Sequence, residues 1–409
     1  PMYDKLTAQL DVPFQRIGAI LPAITQEQFE KLPSLKEKAF RNRVYDVEYL
    51  SREALLEMEP NLNPEVKGGL YIPRESIIDP FLWVVALAEN AQDNGASFLL
   101  NTKVTEILQE DGRVVGARTT AGDIQAQYIV NAAGLWCDEV AAMVGKADYT
   151  VNPRKGQFYI LDKNTECRVE HIVLPIPTKL TKGKLVCPTS RCNMLVCPTA
   201  EGLTDKEDKS TTAEGLASIA VDARNLVPNI NLQDTITQYC GLRPNRNPEG
   251  LHVDTYEDVK NYVNLSGVRS TGLTASASLG KYVAQVLIEM GMPAQFNPDF
   301  NPIRTGIRRF PDLSREEQDQ LVQENPLYGR VICRCETVTE GEIVEAIHRP
   351  IPARSMDAIK RRLRAGTGRC QGGFCGPKLV DILSRELGIS PQEVRKNQTG
   401  SYMVAGRTR

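Results

Sequence analysis

The chain predicts an α/β domain and an α+β domain followed by a small helical module. Three observations carry that expectation: a helix, strand, hairpin, strand, helix series over residues 77–144; a change to alternating strands around one helix over residues 151–239; and short helices set among glycines after Gly329.

Residues 50–62 read as a short helix with Ser51 as N-cap before an acidic-apolar stretch. Residues 77–92 form an amphipathic helix entered through Asp79-Pro80, a capping residue followed by proline at the first helical position, and stopped at Asn94-Gly95. Residues 98–100, 103–108 and 114–119 are strand-like, and Asp111-Gly112 forms a hairpin turn between the last two. A strand at 128–131 and a helix at 135–144 complete a series that suits a nucleotide-binding domain. Strands at 156–161, 184–188 and 194–198 with a helix at 211–226 predict an antiparallel sheet. Residues 297–328, rich in Pro, Asn and charge, read as a linker. Helices are expected at 339–346, 355–364 and 376–387.

With 409 residues, two or three domains are the natural prior, and 41% apolar with 24% charged residues is ordinary globular composition. No stretch approaches the ~20 consecutive apolar residues of a membrane helix. The N-terminus lacks the basic and apolar regions of a secretory leader, so a cytoplasmic location is expected, with membrane association only through a partner. The net charge of −2 hides an asymmetry, because from Gly329 onward 15 Lys and Arg face 8 Asp and Glu. With only Phe374 and Tyr402 as aromatics there, no nucleic-acid partner is expected, and the positive charge suits an anionic cluster or an acidic electron carrier.

Cys333-Arg-Cys335 and Cys370-Gln-Gly-Gly-Phe-Cys375 are separated by 34 intervening residues. Four thiols suffice for a metal or a cluster, and two ligands one residue apart suit a cluster wider than a single tetrahedral ion. Gly366, Gly368, Gly372, Gly373 and Gly376 let backbone amides approach sulfur, and Cys375-Gly-Pro-Lys opens a helix whose dipole favours an anion. Four unrelated thiols, a zinc site, or a copper or iron sensor are the alternatives.

Asn131-Ala-Ala-Gly-Leu-Trp136 follows a strand and opens a helix, so a phosphate could approach its backbone; a plain tight turn is the alternative. The stretch 265–280, Leu-Ser-Gly-Val-Arg-Ser-Thr-Gly-Leu-Thr-Ala-Ser-Ala-Ser-Leu-Gly, repeats the logic of strand, small-residue loop and helix.

The cysteine spacing, with Arg334 and the run Gly373-Phe-Cys-Gly-Pro377, resembles the bacterioferritin-associated ferredoxin-like [2Fe–2S] domain over roughly residues 330–387. Residues 131–136 and 265–280 resemble the amino-acid-oxidase-like FAD superfamily, with glycerol-3-phosphate dehydrogenases and 2-hydroxyglutarate oxidases nearest. Pro1-Met2-Tyr3-Asp4, Asp79-Pro80, Lys155-Gly-Gln157, Thr211-Thr-Ala-Glu-Gly215 and Gly241-Leu-Arg-Pro244 match the same subgroup. The resemblance implies FAD beside Asn131, Ala132, Ala133, Gly134, Trp136, Arg269, Thr271, Gly272, Leu273 and Thr274. It implies the substrate's phosphate or carboxylate on Arg243, where a guanidinium fork suits an anion, and a [2Fe–2S] cluster on Cys333, Cys335, Cys370 and Cys375.

The implied layout is an FAD-binding domain at 46–150 and 251–296, a substrate domain at 1–45 and 151–250, a linker at 297–329 and a cluster domain at 330–409. The chain lacks the Gly-x-Gly-x-x-Gly unit that cradles the ADP pyrophosphate in this superfamily, so a truncated FAD-binding domain with weakened flavin binding is expected. Cys187, Cys192 and Cys197 lie five residues apart; on strands they point to opposite faces and read as separate thiols. His171, His252 and His348 show no ligand-like spacing, and no residue stands out as the general base. The expected activity is oxidation of a C–OH bond in a small anionic substrate. Glycerol-3-phosphate is the first choice, and a 2-hydroxy acid or an amine the second. Electrons would pass to the cluster and then to a carrier or partner subunit. The rival from another class is a non-catalytic electron-transfer or scaffold protein.

Overall fold

The computed structural model describes residues 2–177 and 183–406, so Pro1 of the N-terminal segment and residues 407–409 of the tail lie outside the described residues.

Strand Thr150–Leu161 organises the largest sheet. Thr235–Asn247 pairs antiparallel along its whole length on one edge, and Glu201–Gly202 and Met194–Cys197 share the other. The sheet continues through Leu185–Pro188, Ile172–Val173, Ala19–Ala23, Gly68–Ile72 and Glu48–Ser51, nine strands among the described residues. Its core comes from period-2 burial: Ile20, Leu161, Val173, Val186, Met194 and Val196 meet Ile219, Ala223 and Leu226 of helix Ala213–Leu226. Each fully buried aliphatic chain contributes about 1.5–3 kcal/mol.

This sheet also takes in strands from beyond residue 46, where the FAD-binding domain was expected to begin. Glu48–Ser51 and Gly68–Ile72 hydrogen-bond to each other and through Gly68–Ile72 to Ala19–Ala23, so residues 48–72 belong to the large sheet. The smaller domain starts near helix Pro80–Asp93. There Asp79 Oδ1 accepts from the N–H groups of Phe81 and Leu82 at 3.1 Å each, and Pro80 sits where no N–H is needed. The smaller domain also holds the meander Val104–Glu110, Arg113–Thr119 and Gly122–Gln125, turned at Asp111-Gly112, where both residues have positive φ as an Asp-Gly hairpin turn requires. Its three-stranded sheet places Ile129–Asn131 parallel to Tyr262–Ser266, with His252–Thr255 antiparallel on the far side. Residues 98–100, expected as a strand, have no ladder partner and leave Phe98, Leu99 and Leu100 exposed.

The expected linker is an ordered arm. Arg304 is buried, and helix Arg315–Glu324 starts with a reciprocal capping box between Ser314 and Glu317. The tail folds as helices Glu340–His348, Met356–Leu363 and Gly376–Leu387 around Ile343, Ile347, Ile359, Leu363, Leu379 and Leu383. Glu89 of helix Pro80–Asp93 fixes this module in place. Its carboxylate accepts from Arg304 Nε at 2.6 Å and from Arg349 Nη2 at 2.7 Å. Arg369 pairs with Asp162 at 2.9 Å, Lys163 donates to the Cys335 carbonyl at 2.8 Å, and Arg364 donates to Asn193 at 3.0 Å.

Candidate functional site

The strand ladder sets one face of the large sheet. Arg154, Gly156 and Phe158 lie directly opposite Arg243, Gly241 and Tyr239, so all six share that face. Phe158 and Tyr239 stack with ring centroids 4.6 Å apart and planes 5° from parallel. Arg243 donates only to backbone carbonyls, those of Arg154 at 3.2 Å, Lys155 at 3.1 Å and Thr199 at 2.7 Å. No carboxylate neutralises it among the described residues, and burial, reinforced by Arg154, holds its pKa below the ordinary guanidinium value. A Cβ at Gly156 would stand 2.9 Å from Arg243 Nη2, which explains the glycine of Lys155-Gly-Gln157. Gln157, on the opposite face, exchanges hydrogen bonds with Thr212, and a side chain at Gly215 would collide with it at 2.1 Å. Two of the segments singled out in the sequence therefore brace each other behind Arg243.

Two strand-to-helix turns face the same region. Parallel strands Ile129–Asn131 and Tyr262–Ser266 pair Asn131 with Asn264, so both chains leave the sheet at the same, C-terminal, end, where open α/β sheets bind ligands. Buried Asn131 donates to Asn264 Oδ1 and to the Cys137 carbonyl, both at 2.8 Å, and accepts from Ala133 N–H at 3.1 Å. This ties the turn through Ala132, Ala133 and Gly134, which has φ +58°, and leaves Trp136 partly exposed beyond it. On the second turn, helix Gly272–Glu289 begins with Thr271 at its N-cap and no side chain bonded to its first N–H groups. The Gly272 N–H donates to the Arg269 carbonyl at 2.8 Å, and the donors at Leu273 and Thr274 suit an electron-rich or anionic ligand edge. Arg269 joins the turn to the sheet, donating to Asn245 at 3.3 Å and to Glu249. Asn245 is two positions from Arg243 on the same strand and face. Arg154, Arg243 and Asn245 thus share one face of the strand pair, and Arg269, 26 residues on from Arg243, is tied to that face through Asn245. Sequence reasoning missed Arg154, Phe158, Tyr239 and Asn245, whose placement depends on the long-range pairing of strands 150–161 and 235–247.

The four tail cysteines form two pairs. Cys335 and Cys370 have their sulfurs 3.7 Å apart, and Cys375 lies in hydrogen-bonding reach of Cys333. Cys370 sits in a nest of backbone N–H groups: those of Phe374, Gly372 and Gly373 lower its pKa, as thiolate ligation needs. Burial pushes Cys375 up to about 12 in the free thiol form. Gly368 touches the site directly, since a Cβ there would stand 2.3 Å from the Cys335 Cβ. Two pairs with a glycine-lined approach fit a two-iron, two-sulfide cluster, which these residues would hold. A cavity of about 190 Å³, lined by Asp162, Asn193, Cys335 and Gly368, separates the cysteines from the large sheet.

The three cysteines of the 187–197 run do not converge. Cys187 and Cys197 are buried in adjacent strands, with burial pushing Cys187 up to about 12, while Cys192 is exposed on the hairpin turn between them at φ +64°. Each histidine has an acidic neighbour: His171 meets Glu59 at 2.7 Å, His348 meets Glu386 at 2.8 Å, and His252 stands 3.7 Å from Asp254.

The family description FAD dependent oxidoreductase matches residues 1–286, and BFD-like [2Fe-2S] binding domain matches residues 331–385. The chain belongs to the FAD-dependent oxidoreductase family. This oxidoreductase is 40% identical to a glycerol 3-phosphate dehydrogenase of Caloramator mitchellensis, over all of this chain and 85% of that one. It is 26% identical to the anaerobic glycerol-3-phosphate dehydrogenase subunit A1 of Haloferax volcanii, across 89% of this chain and 68% of that one. Among solved structures, the FAD-bound L-alpha-glycerophosphate oxidase of Mycoplasma pneumoniae superposes with a TM-score of 0.67 at 28% identity, over 72% of this chain and 77% of that one. The FAD complex of a Bacillus halodurans glycerol-3-phosphate dehydrogenase, at 18% identity and TM-score 0.58, shares the fold over 94% of this chain and 79% of that one. The oxidoreductase thus combines an FAD domain with a [2Fe–2S] module, as its two sequence patterns implied.

Proposed function

We propose that this oxidoreductase is a dehydrogenase for glycerol-3-phosphate that passes electrons through its own cluster module to a partner subunit or carrier. The carrying observation is the sheet face on which Arg243, with no carboxylate partner among the described residues, is held beside the Arg269 turn by the 235–247 strand, a face we take as the floor of the substrate crevice. When bound, FAD supplies the hydride acceptor, and the cluster supplies a one-electron relay. The chain's residues bind and orient. Arg243 and Arg154 would take the phosphate, a planar fork of donors on Arg243 favouring an oxyanion over a neutral polyol. Phe158 and Tyr239 would wall the crevice against water. The N–H groups of Leu273 and Thr274 in the first turn of helix Gly272–Glu289 would oppose charge that builds during the reaction. Relatives named as glycerol 3-phosphate dehydrogenases and as an anaerobic dehydrogenase subunit support the substrate and the partner.

The test is steady-state kinetics with an artificial acceptor on wild type and Arg243→Ala. We expect KM for glycerol-3-phosphate to rise about 100-fold, equivalent to about 2.7 kcal/mol of lost binding, with kcat changed much less. An unchanged kcat/KM would remove Arg243 from the substrate site. Faster turnover of 2-hydroxyglutarate than of glycerol-3-phosphate by wild type would replace the substrate and keep the crevice.

A further inference from the structure

A second concentration of arginines lies away from the proposed crevice, where the hairpin turn of the large sheet, the 304–313 arm and the cluster module meet. It encloses a cavity of about 210 Å³ into which Arg191, Arg304, Arg308, Arg309 and Arg362 project, against two carboxylates, Asp11 and Asp312. Three of the five cations are answered. Arg304 bonds Glu89 at 2.6 Å, Arg308 stands 3.8 Å from Glu317, and Arg309 takes Asp312 at 3.0 Å. Arg191 stands 3.6 Å from the already shared Asp312 with the Asp79 carboxylate also in its field, and Arg362 donates to the carbonyls of Ala358 and Ile351, the acid in its field being Glu89, which Arg304 and Arg349 already hold. The Nε atoms of both are buried donors without a partner. A buried donor left unpaired costs about 1–3 kcal/mol, more when charged. Two such guanidinium groups in one cavity are therefore expensive unless an anion joins them. Asp11 accepts from the Gly306 N–H at 3.0 Å and makes no ion pair with Arg191 or Arg362 among the described residues.

We propose that this cavity binds a small soluble oxyanion of the phosphate class, held by Arg191 and Arg362 and flanked by Arg309. The volume lies below the about 300–1,000 Å³ of sites for drug-sized ligands, which limits the occupant to an inorganic phosphate or a short phosphate ester. The site is separate from the proposed substrate crevice. Arg191 lies in the turn before strand Met194–Cys197, whereas the carbonyl bonded by Arg243 belongs to Thr199, beyond the strand's other end. The occupant would bridge three segments that otherwise repel one another there, clamping the cluster module to the large sheet. Asn193, two residues from Arg191, already bonds Arg364 of that module.

The experiment is a thermal-unfolding titration with inorganic phosphate at constant ionic strength, balanced with chloride, on the whole protein. Wild type should show a saturable rise in Tm that chloride does not reproduce. Arg191→Gln should weaken the apparent affinity at least tenfold, while its Tm without phosphate stays equal or rises because an unanswered buried cation is gone. Arg243→Gln should keep the full response. No saturable rise in wild type, or a rise lost in Arg243→Gln and kept in Arg191→Gln, would overturn the proposal, the latter by placing the phosphate in the substrate crevice. Should Arg191→Gln fail to fold, Arg309→Gln carries the same readout, and a response unchanged in that variant also overturns it.

Discussion

The proposed crevice and the junction at Glu89 both gather arginines, and they use them in opposite ways. At the junction, Arg304 and Arg349 spend their charge on one buried carboxylate, so the cluster module is fixed against helix Pro80–Asp93. In the crevice, Arg243 is positioned by neutral carbonyls, which fix the guanidinium without cancelling its charge. An arginine's partner therefore tells structure from recognition better than its burial does. A carboxylate partner leaves little for a ligand, and a ring of carbonyls leaves the charge available.

The sharpest way to break this contrast is at Glu89. Glu89→Gln leaves two guanidinium groups facing a neutral amide, and we expect a loss of about 3–5 kcal/mol, read by denaturant unfolding, with KM for the substrate of the remaining folded enzyme unchanged. Arg243→Ala should show the reverse pattern, the about 100-fold rise in KM given above with little change in unfolding free energy. Gly368→Ala comes next. The new methyl group meets Cys335 at 2.3 Å, and iron and acid-labile sulfide per chain should fall, with about 1–3 kcal/mol of strain in the module. Smallest is Asp162→Asn. Its partner Arg369 is largely exposed, so unfolding should change by less than about 1 kcal/mol.

pH sharpens the same comparison. Burial pushes the Glu89 carboxyl up, but the guanidinium groups of Arg349 and Arg304 outweigh burial and hold it below its ordinary value of 4.5. A depressed carboxylate pKa gives stability that is complete above the unfolded value and is lost as pH falls through the folded one. Wild type should therefore lose stability below about pH 4.5 more steeply than Glu89→Gln does, and equal slopes would show that the junction carries no such linkage.

Much of this was legible where signals are local. Ser51, Asp79-Pro80, Ser355 and Cys375-Gly-Pro each mark a helix start within a residue or two, because a cap is a contact between near neighbours. The cluster cysteines were legible for the same reason, being two short runs with glycines between and around them. What escaped was decided by distant partners. Residues 48–72 join Ala19–Ala23 through ladders that no local pattern announces, and Phe98–Leu100 has strand composition without a neighbouring strand. Helix Gln26–Arg41 carries Pro33 in its interior, which argues against a helix locally, yet a Thr25–Gln28 capping box and the burial of Leu32 hold it. Arg154 was missed because its role appears only when the facing strand puts Arg243 opposite it.

The double grip of Glu89 has a consequence for proteolysis. Residues 293–301 are almost wholly exposed and rich in Pro and Asn, a stretch that an endoprotease can reach. Arg304 and Arg349 both lie on the C-terminal side of that stretch, and Glu89 lies on the N-terminal side. A cut there would give two bands on a denaturing gel and one peak on a sizing column, the severed tail still seated on the enzyme it serves.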